Sequence, residues 1–309
     1  MATQAATSPA VGTAEISRPA RSLWKDAWFT FTRDKLAIAG LFVFAFLVVA
    51  VLIGPNVYGG SSSDIDFARS LEGPSFSHPM GTDDLGRDLL ARVLNGGRIS
   101  IAVGITAVVL AIVLGTTIGA IAGYFGKMDN ILMRITDLFL SLPILPLLLV
   151  LVYLFRETLR AWFGPELGIF LMIVFVIGIL NWMPVARLVR ASFLSLKQKE
   201  FVEAARCVGD KDGRIIFKHI LPNVLSPVLV AATIGVGGAI ITESTLSFLG
   251  LGFPSDVPTW GRILFDGANF IDIAPHWVLF PGLCIVIVVL SINFIGDGLR
   301  DALDPRRKI

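Results

Sequence analysis

The stretch LAIAGLFVFAFLVVAVLI, residues 36–53, runs for eighteen residues without a charged or hydrogen-bonding side chain. A helix rises about 1.5 Å per residue, so a run of this length nearly covers the ~30 Å hydrocarbon core of a bilayer. A cleaved leader would carry a shorter apolar stretch nearer the start and a small-residue cleavage site behind it. Here a polar tail of thirty-five residues comes first and Gly54-Pro55-Asn56 follows, so the stretch reads as a retained anchor.

Working outward, five further apolar blocks lie at 99–122, 131–154, 168–186, 224–246 and 277–295. Of the 309 residues, 54% are hydrophobic and only 16% are charged, and the mean hydropathy is +0.76. A soluble domain carries about 25% charged residues. Because the deficit is gathered into blocks of spanning length, an all-α membrane protein with six transmembrane helices is expected. In lipid each helix satisfies its own backbone hydrogen bonds.

Positive charge sets the expected orientation. With the N-terminus inside, nineteen of the 26 Lys and Arg residues fall on the cytoplasmic side and seven outside. The expected organisation is a cytoplasmic tail over 1–35, a first span over 36–54 and an extracytoplasmic segment over 55–98. A core of five spans follows over 99–296, containing a basic cytoplasmic loop at 187–222, and a cytoplasmic tail covers 297–309. The Ala-, Thr- and Ser-rich first twenty residues read as disordered.

Several function classes drop out. A net charge of +2 gives no footprint for nucleic acid. Cys207 and Cys284 have no plausible bridge, and His78, His219 and His276 lack metal-ligand spacing. No G-x-x-x-x-G-K-[ST] loop is present to cradle nucleotide phosphates, and no catalytic constellation is placed. Neither an internal repeat nor a clear mid-span carboxylate marks a gradient-driven secondary carrier. The chain is therefore expected not to be an enzyme and to hold no cofactor itself.

The basic loop is the most informative segment: FVEAARCVG at 201–209, then HILP at 219–222. Phe201, Ala204 or Ala205, and Val208 recur at helical spacing and form a ridge on a short helix. Gly209 stands where that helix must end. Asp210 or Asp212 can cap a second short helix, and Pro222 bends the chain into the next span. Such a helix either docks its bulky Phe in a partner's groove or lies on the membrane as an ordinary amphipathic turn.

Elsewhere, Glu243 is the acidic residue best placed within a span, suited either to a translocation path or gate or to structural hydrogen bonding. Pro143, Pro146 and Pro184 are expected to kink their spans, and Gly115 with Gly119 to pack helices closely. In GTDDLGRD, residues 81–88, Thr82 is expected to cap a helix with Leu85, Leu89 and Val93 on its apolar face. Its carboxylates are interrupted by Arg87 and do not suggest a cation site. Asp297, Arg300, Asp301 and Asp304 sit at the spacing of a salt-bridged helix end.

Glu203-Ala204-Ala205, then Gly209, then Leu221-Pro222 resembles the EAA loop of ABC import permeases. His219 in place of the usual Ile is similar to the dipeptide/oligopeptide branch. GTDDLGRD with Gly97-Arg98, TESTLSFLGLG at 242–252 with PTWG at 258–261, and GDGLRDALDP at 296–305 resemble that branch in the same order. The resemblance covers roughly residues 22–307 and is close to the DppC/OppC-type permease subunit. It implies the type I ABC importer arrangement, with the EAA loop as the coupling helix on an ATPase. Phe201, Glu203, Ala204, Ala205, Gly209, His219 and Pro222 would carry that coupling. It also implies a second, DppB/OppB-like permease, one or two P-loop ATPases binding ATP and Mg, and an extracytoplasmic binding protein. The implied cargo is a di- or oligopeptide, or within the same family glutathione, a nickel chelate or an oligosaccharide.

Overall fold

Apolar blocks bounded by turn residues become long helices, and the computed structural model describes residues 23–303 of them. The N-terminal tract read as disordered, and Asp304, lie outside the described residues. In order come α1 (Leu23–Phe31), α2 (Lys35–Val57), α3 (Leu89–Tyr124), α4 (Gly126–Ser141), α5 (Ile144–Phe163) and α6 (Pro165–Leu196). After them come α7 (Glu200–Cys207), α8 (Asp212–Arg214), a π-helical stretch Ile215–Ile220, α9 (Leu221–Phe248), α10 (Trp260–Ala268) and α11 (Pro275–Leu303). Among the described residues there is no strand, only an isolated bridge between Thr82 and Asp88.

Five helices are long and apolar enough to cross a membrane: α2, α3, α6, the rod 212–248 and α11. The sixth differs from the expected continuous span over 131–154. The chain bends there by 94° between α4 and α5. Pro143 disfavours a helical conformation in Leu142 and offers no N–H, and Leu142 is extended at φ −78°, ψ 141°. The twenty residues of α5 could themselves cover about 30 Å. Pro184, by contrast, is carried inside α6 without a break.

The centre of the bundle is the contact of α3 with α6. Ala107, Ala111, Gly115, Gly119 and Gly123 recur every fourth residue on α3 and are all buried. A Cβ added at Gly115 would lie 2.6 Å from Val185 Cβ, and one at Gly119 would lie 2.5 Å from the Ala186 carbonyl oxygen. At Gly123 it would meet Phe193. The two helices therefore run parallel in register, and their backbone-to-backbone approach is the close packing that the Gly115/Gly119 pattern predicts. Around this seam α9, α2 and α10 pack on α3, while α11 packs on α2, α9 and α10.

Pro55 inside α2 leaves the Val51 carbonyl without its usual donor. Arg98 of α3 supplies one: its Nε donates to Val51 O at 2.7 Å, and its Nη2 also donates to Leu52 O. The broken ladder in one span is thus repaired by the next.

The seam generates a paired prediction. Gly119→Leu should cost about 1–3 kcal/mol or more by overpacking and lower the yield of folded protein in detergent. Gly238→Leu, where an added Cβ meets nothing within 4 Å, should leave yield and melting temperature near wild type. Equal behaviour of the two variants would refute the close approach.

Candidate functional site: the 200–222 loop and the Glu243 junction

The loop at 200–222 is built on a two-sided short helix. On α7, Val202 and Ala205 turn inward while Phe201, Glu203 and Ala204 face outward. The expected ridge therefore resolves into an inner pair and an outer row in which Phe201 is 42% exposed and Val208 86% exposed. The inner pair joins a core cluster with Val185, Val189 and Phe193 of α6, Ile215 and Ile220 of the π-helical stretch, and Val224 and Val228 of α9. One apolar cluster thus holds α7 against two spans.

The helix ends as its glycine requires. Gly209 has φ +89°, a conformation that costs an L-residue roughly 1–2 kcal/mol. Its N–H donates to Arg206 O at 2.9 Å, and the Asp210 N–H donates to Ala205 O at 3.0 Å. This paired closure is the Schellman motif.

Asp210 and Asp212 do not cap α8; the residue before that helix is Lys211, with no side-chain cap. Asp210 instead accepts Arg214 Nη1 at 2.9 Å and His219 Nε2 at 3.1 Å. These partners hold its carboxyl below the usual carboxylate range, Arg214 first and His219 after it. Asp212 accepts the Tyr124 hydroxyl at 2.5 Å, which pins the loop to the end of α3. Gly209 and His219, ten residues apart in the sequence, are therefore joined through the residue between them. Pro222 is exposed in the first turn of α9, where its missing N–H follows the π-helical register change.

Glu243 lies elsewhere, near the C-terminal end of α9, and is fully buried. Its Oε1 accepts Ser247 Oγ at 2.8 Å, and its Oε2 accepts Ser100 Oγ of α3 at 2.9 Å. Ser244 adds a longer bond at 3.5 Å. Thr259, which caps α10 through Arg262 N–H, donates to Ser247 Oγ at 3.4 Å. Ser100 Oγ in turn accepts the Trp260 N–H at 3.3 Å. Every donor to this carboxylate is a hydroxyl, and together they join α3, α9 and α10. These contacts fit the hydrogen-bonding alternative.

The segment 81–88 also differs from expectation. Thr82 caps no helix: its hydroxyl donates to Arg69 O and accepts Glu72 N–H. Asp88 is the cap of α3, accepting Ala91 N–H at 2.8 Å, and Leu89 and Val93 are buried on α3 beyond it. Asp83 pairs with Arg87 at 2.6 Å and with buried Arg92 at 3.6 Å. Arg92 lies 3.7 Å from Asp266 of α10. Burial pushes the Asp266 carboxyl up, against the opposing pull of Arg262 and Arg92.

Tyr124, Lys197, Ser100 and Thr259 were not singled out by sequence reasoning. An aromatic directly after an apolar run was a signal for Tyr124. Nothing local marks Ser100, whose partner is 143 residues away.

Two outcomes follow. Glu243→Gln can still accept from the hydroxyls and should be milder than Glu243→Leu, which strands them at about 1–3 kcal/mol. Thermal melting of the detergent-solubilised protein compares the two. Because the Asp210 pKa is depressed in the folded loop, its stabilisation is present above about pH 4 and lost as pH falls through the lowered value. Exchange of the 209–219 amides, corrected for intrinsic rates, should therefore rise in acid, and Asp210→Asn should remove that pH dependence.

The comparisons agree with this architecture. Residues 113–309 match the model of the binding-protein-dependent transport system inner membrane component. Residues 22–74 match the N-terminal TM domain of oligopeptide transport permease C. The chain is 43% identical to the dipeptide transport system permease protein DppC of Alkalihalophilus pseudofirmus, covering 93% of this chain and 91% of that one. It is 42% identical to the oligopeptide permease OppC of Haemophilus influenzae, over 94% and 91% of the two chains. Identity to the glutathione transport permease GsiD of Pectobacterium atrosepticum is 39%, over 93% of each chain. An inward-facing structure of the MetNI methionine ABC transporter shares the fold, with a TM-score of 0.56 at 21% identity, over 70% of this chain and 96% of that one. The chain is a multi-pass inner-membrane protein and belongs to the family of binding-protein-dependent transport system permeases.

Proposed function

We propose that this chain forms half of the translocation pathway of an ATP-driven importer of di- or oligopeptides. The observation that carries the reading is α7, whose inner face is locked to α6 and α9 while Phe201, Ala204 and Val208 stand outward. A partner that grips the outer face moves the spans through the inner one. Ala205 and Gly209 keep that helix in place directly and His219 does so through Asp210, while Glu203 stands on the outer face for the partner and Pro222 opens α9.

The partners follow from this division of labour. One or two P-loop ATPases bind ATP and Mg and seat α7, and this chain has no ATPase site of its own. A homologous DppB/OppB-like permease completes the pathway, and an extracytoplasmic binding protein delivers the cargo. The charge asymmetry of the loops supports placing both termini and the loop 187–222 in the cytoplasm. Glu243 serves the outer gate as a brace, holding α3, α9 and α10 as one block. The cargo reading is supported by relatives named for dipeptide, oligopeptide and glutathione transport.

The test uses the intact transporter in proteoliposomes with its binding protein and a labelled dipeptide. Glu203→Lys reverses a charge on the outer face. Gly209→Pro demands a φ near −65° where the chain has +89°. Both should insert normally yet reduce uptake more than about tenfold, a coupling loss above about 1.4 kcal/mol. Unchanged uptake in both would sink the assignment of α7, and uptake that survives ATP depletion but collapses with an ionophore would replace it with a gradient-driven carrier.

A further inference from the structure

At the corner where α3 passes into α4, a cleft of about 700 Å³ is lined by Tyr124, Phe125, Lys127, Lys197, Arg206 and Asp212, among others. Its depth in the membrane follows from the chain. The apolar run of α3 ends at Ala122, and the aromatic pair Tyr124-Phe125 comes next, as at a membrane–water boundary. Three cations from three different segments converge there: Lys127 of α4, Lys197 after α6, and Arg206 of α7.

These cations are not consumed by their neighbours. Asp212 is the single carboxylate in the lining, and it is engaged by the Tyr124 hydroxyl. Lys197 donates one N–H to Tyr124 O at 2.6 Å and lies 5.1 Å from the Tyr124 ring centre, which leaves its other donors for a ligand. Lys127 has no ion-pair partner among the described residues. Arg206 stands beside the Tyr124 hydroxyl. The cleft therefore offers converging N–H donors and an excess of positive charge, the complement of a phosphate group.

An apolar track leads away from it. Met128, Ile131, Ile135 and Leu138 recur along α4 at three- and four-residue spacing, and all are exposed. A soluble anion has no use for such a row, whereas an acyl chain does. We infer that the cleft binds the phosphate of an anionic phospholipid of the cytoplasmic leaflet, with its acyl chains along α4. Because Arg206 belongs to α7, the lipid links the coupling helix to the membrane surface and favours the seated position of that helix. The inference rests on the cytoplasmic placement of loop 187–222 proposed above.

The experiment uses the complete transporter with its partner subunits in nanodiscs of phosphatidylcholine with or without ~20% phosphatidylglycerol. Lipid retained after detergent exchange is read by native mass spectrometry. Wild type should retain phosphatidylglycerol in preference to phosphatidylcholine. Lys127→Glu, at an exposed position, should lower that retention on the order of tenfold with subunit composition unchanged. Lys197→Gln should act in the same direction. Equal retention in wild type and both variants would overturn the site. Displacement of the lipid by inorganic phosphate alone would assign the cleft to a free anion instead. A cysteine placed at Lys127 and shielded by the ATPase regardless of lipid would assign it to protein docking. Orientation is read separately: labelling of Cys207 by an impermeant maleimide in inverted vesicles supports the cytoplasmic placement, and labelling only from the opposite side refutes it.

Discussion

The close approach of α3 and α6 is the constraint on which the remaining architecture depends. Between helices in lipid there is little hydrophobic driving force, so association relies on van der Waals contact over a long, shape-matched line. The row Ala107, Ala111, Gly115, Gly119 and Gly123 provides such a line, and Val185, Ala186, Val189 and Phe193 fill it. Since the two helices run parallel and end together, their ends form a common floor at one end of the bundle. That floor carries both the loop with α7 and the cleft beside Tyr124.

The same floor explains how a surface helix can act on the membrane interior. Val202 and Ala205 share one cluster with residues of α6 and α9, so α7 is packed into the bundle. The loop around it is kept in shape by polar ties: the Schellman closure at Gly209, the Asp210 bridge to Arg214 and His219, and the Asp212 bond to Tyr124. The same cluster includes Ile215 and Ile220 of the π-helical stretch, which leads directly into α9. A register irregularity at that point suits a segment that must adjust its pitch.

Several polar groups within the spans find partners where water is absent. Arg98 answers the carbonyl freed by Pro55, and hydroxyls from α3, α9 and the α10 cap answer the Glu243 carboxylate. The outer cluster of Asp83, Arg87, Arg92 and Asp266 fastens segment 81–88 to α10 by opposite charges. Through Arg98, Ser100 and Arg92 these groups tie together elements distant in sequence.

The sequence by itself determined the membrane class, five of the six spans and the glycine seam, because these depend on local composition and spacing. It also placed the end of α7 at Gly209, since no other residue takes that conformation at low cost. The proline in the third span was visible as a kink, but its size, a 94° bend, was not, because the angle depends on what packs around it. The partners of Glu243 and Asp210 were not legible, since the hydroxyls and cations that meet them come from other helices or later turns. Only the tertiary structure decided that Thr82 fixes a turn, that Asp212 anchors the loop to α3, and that Lys127, Lys197 and Arg206 face one cleft. Hydrophobic periodicity records what each segment must bury, whereas the pairing of polar groups depends on which helices become neighbours.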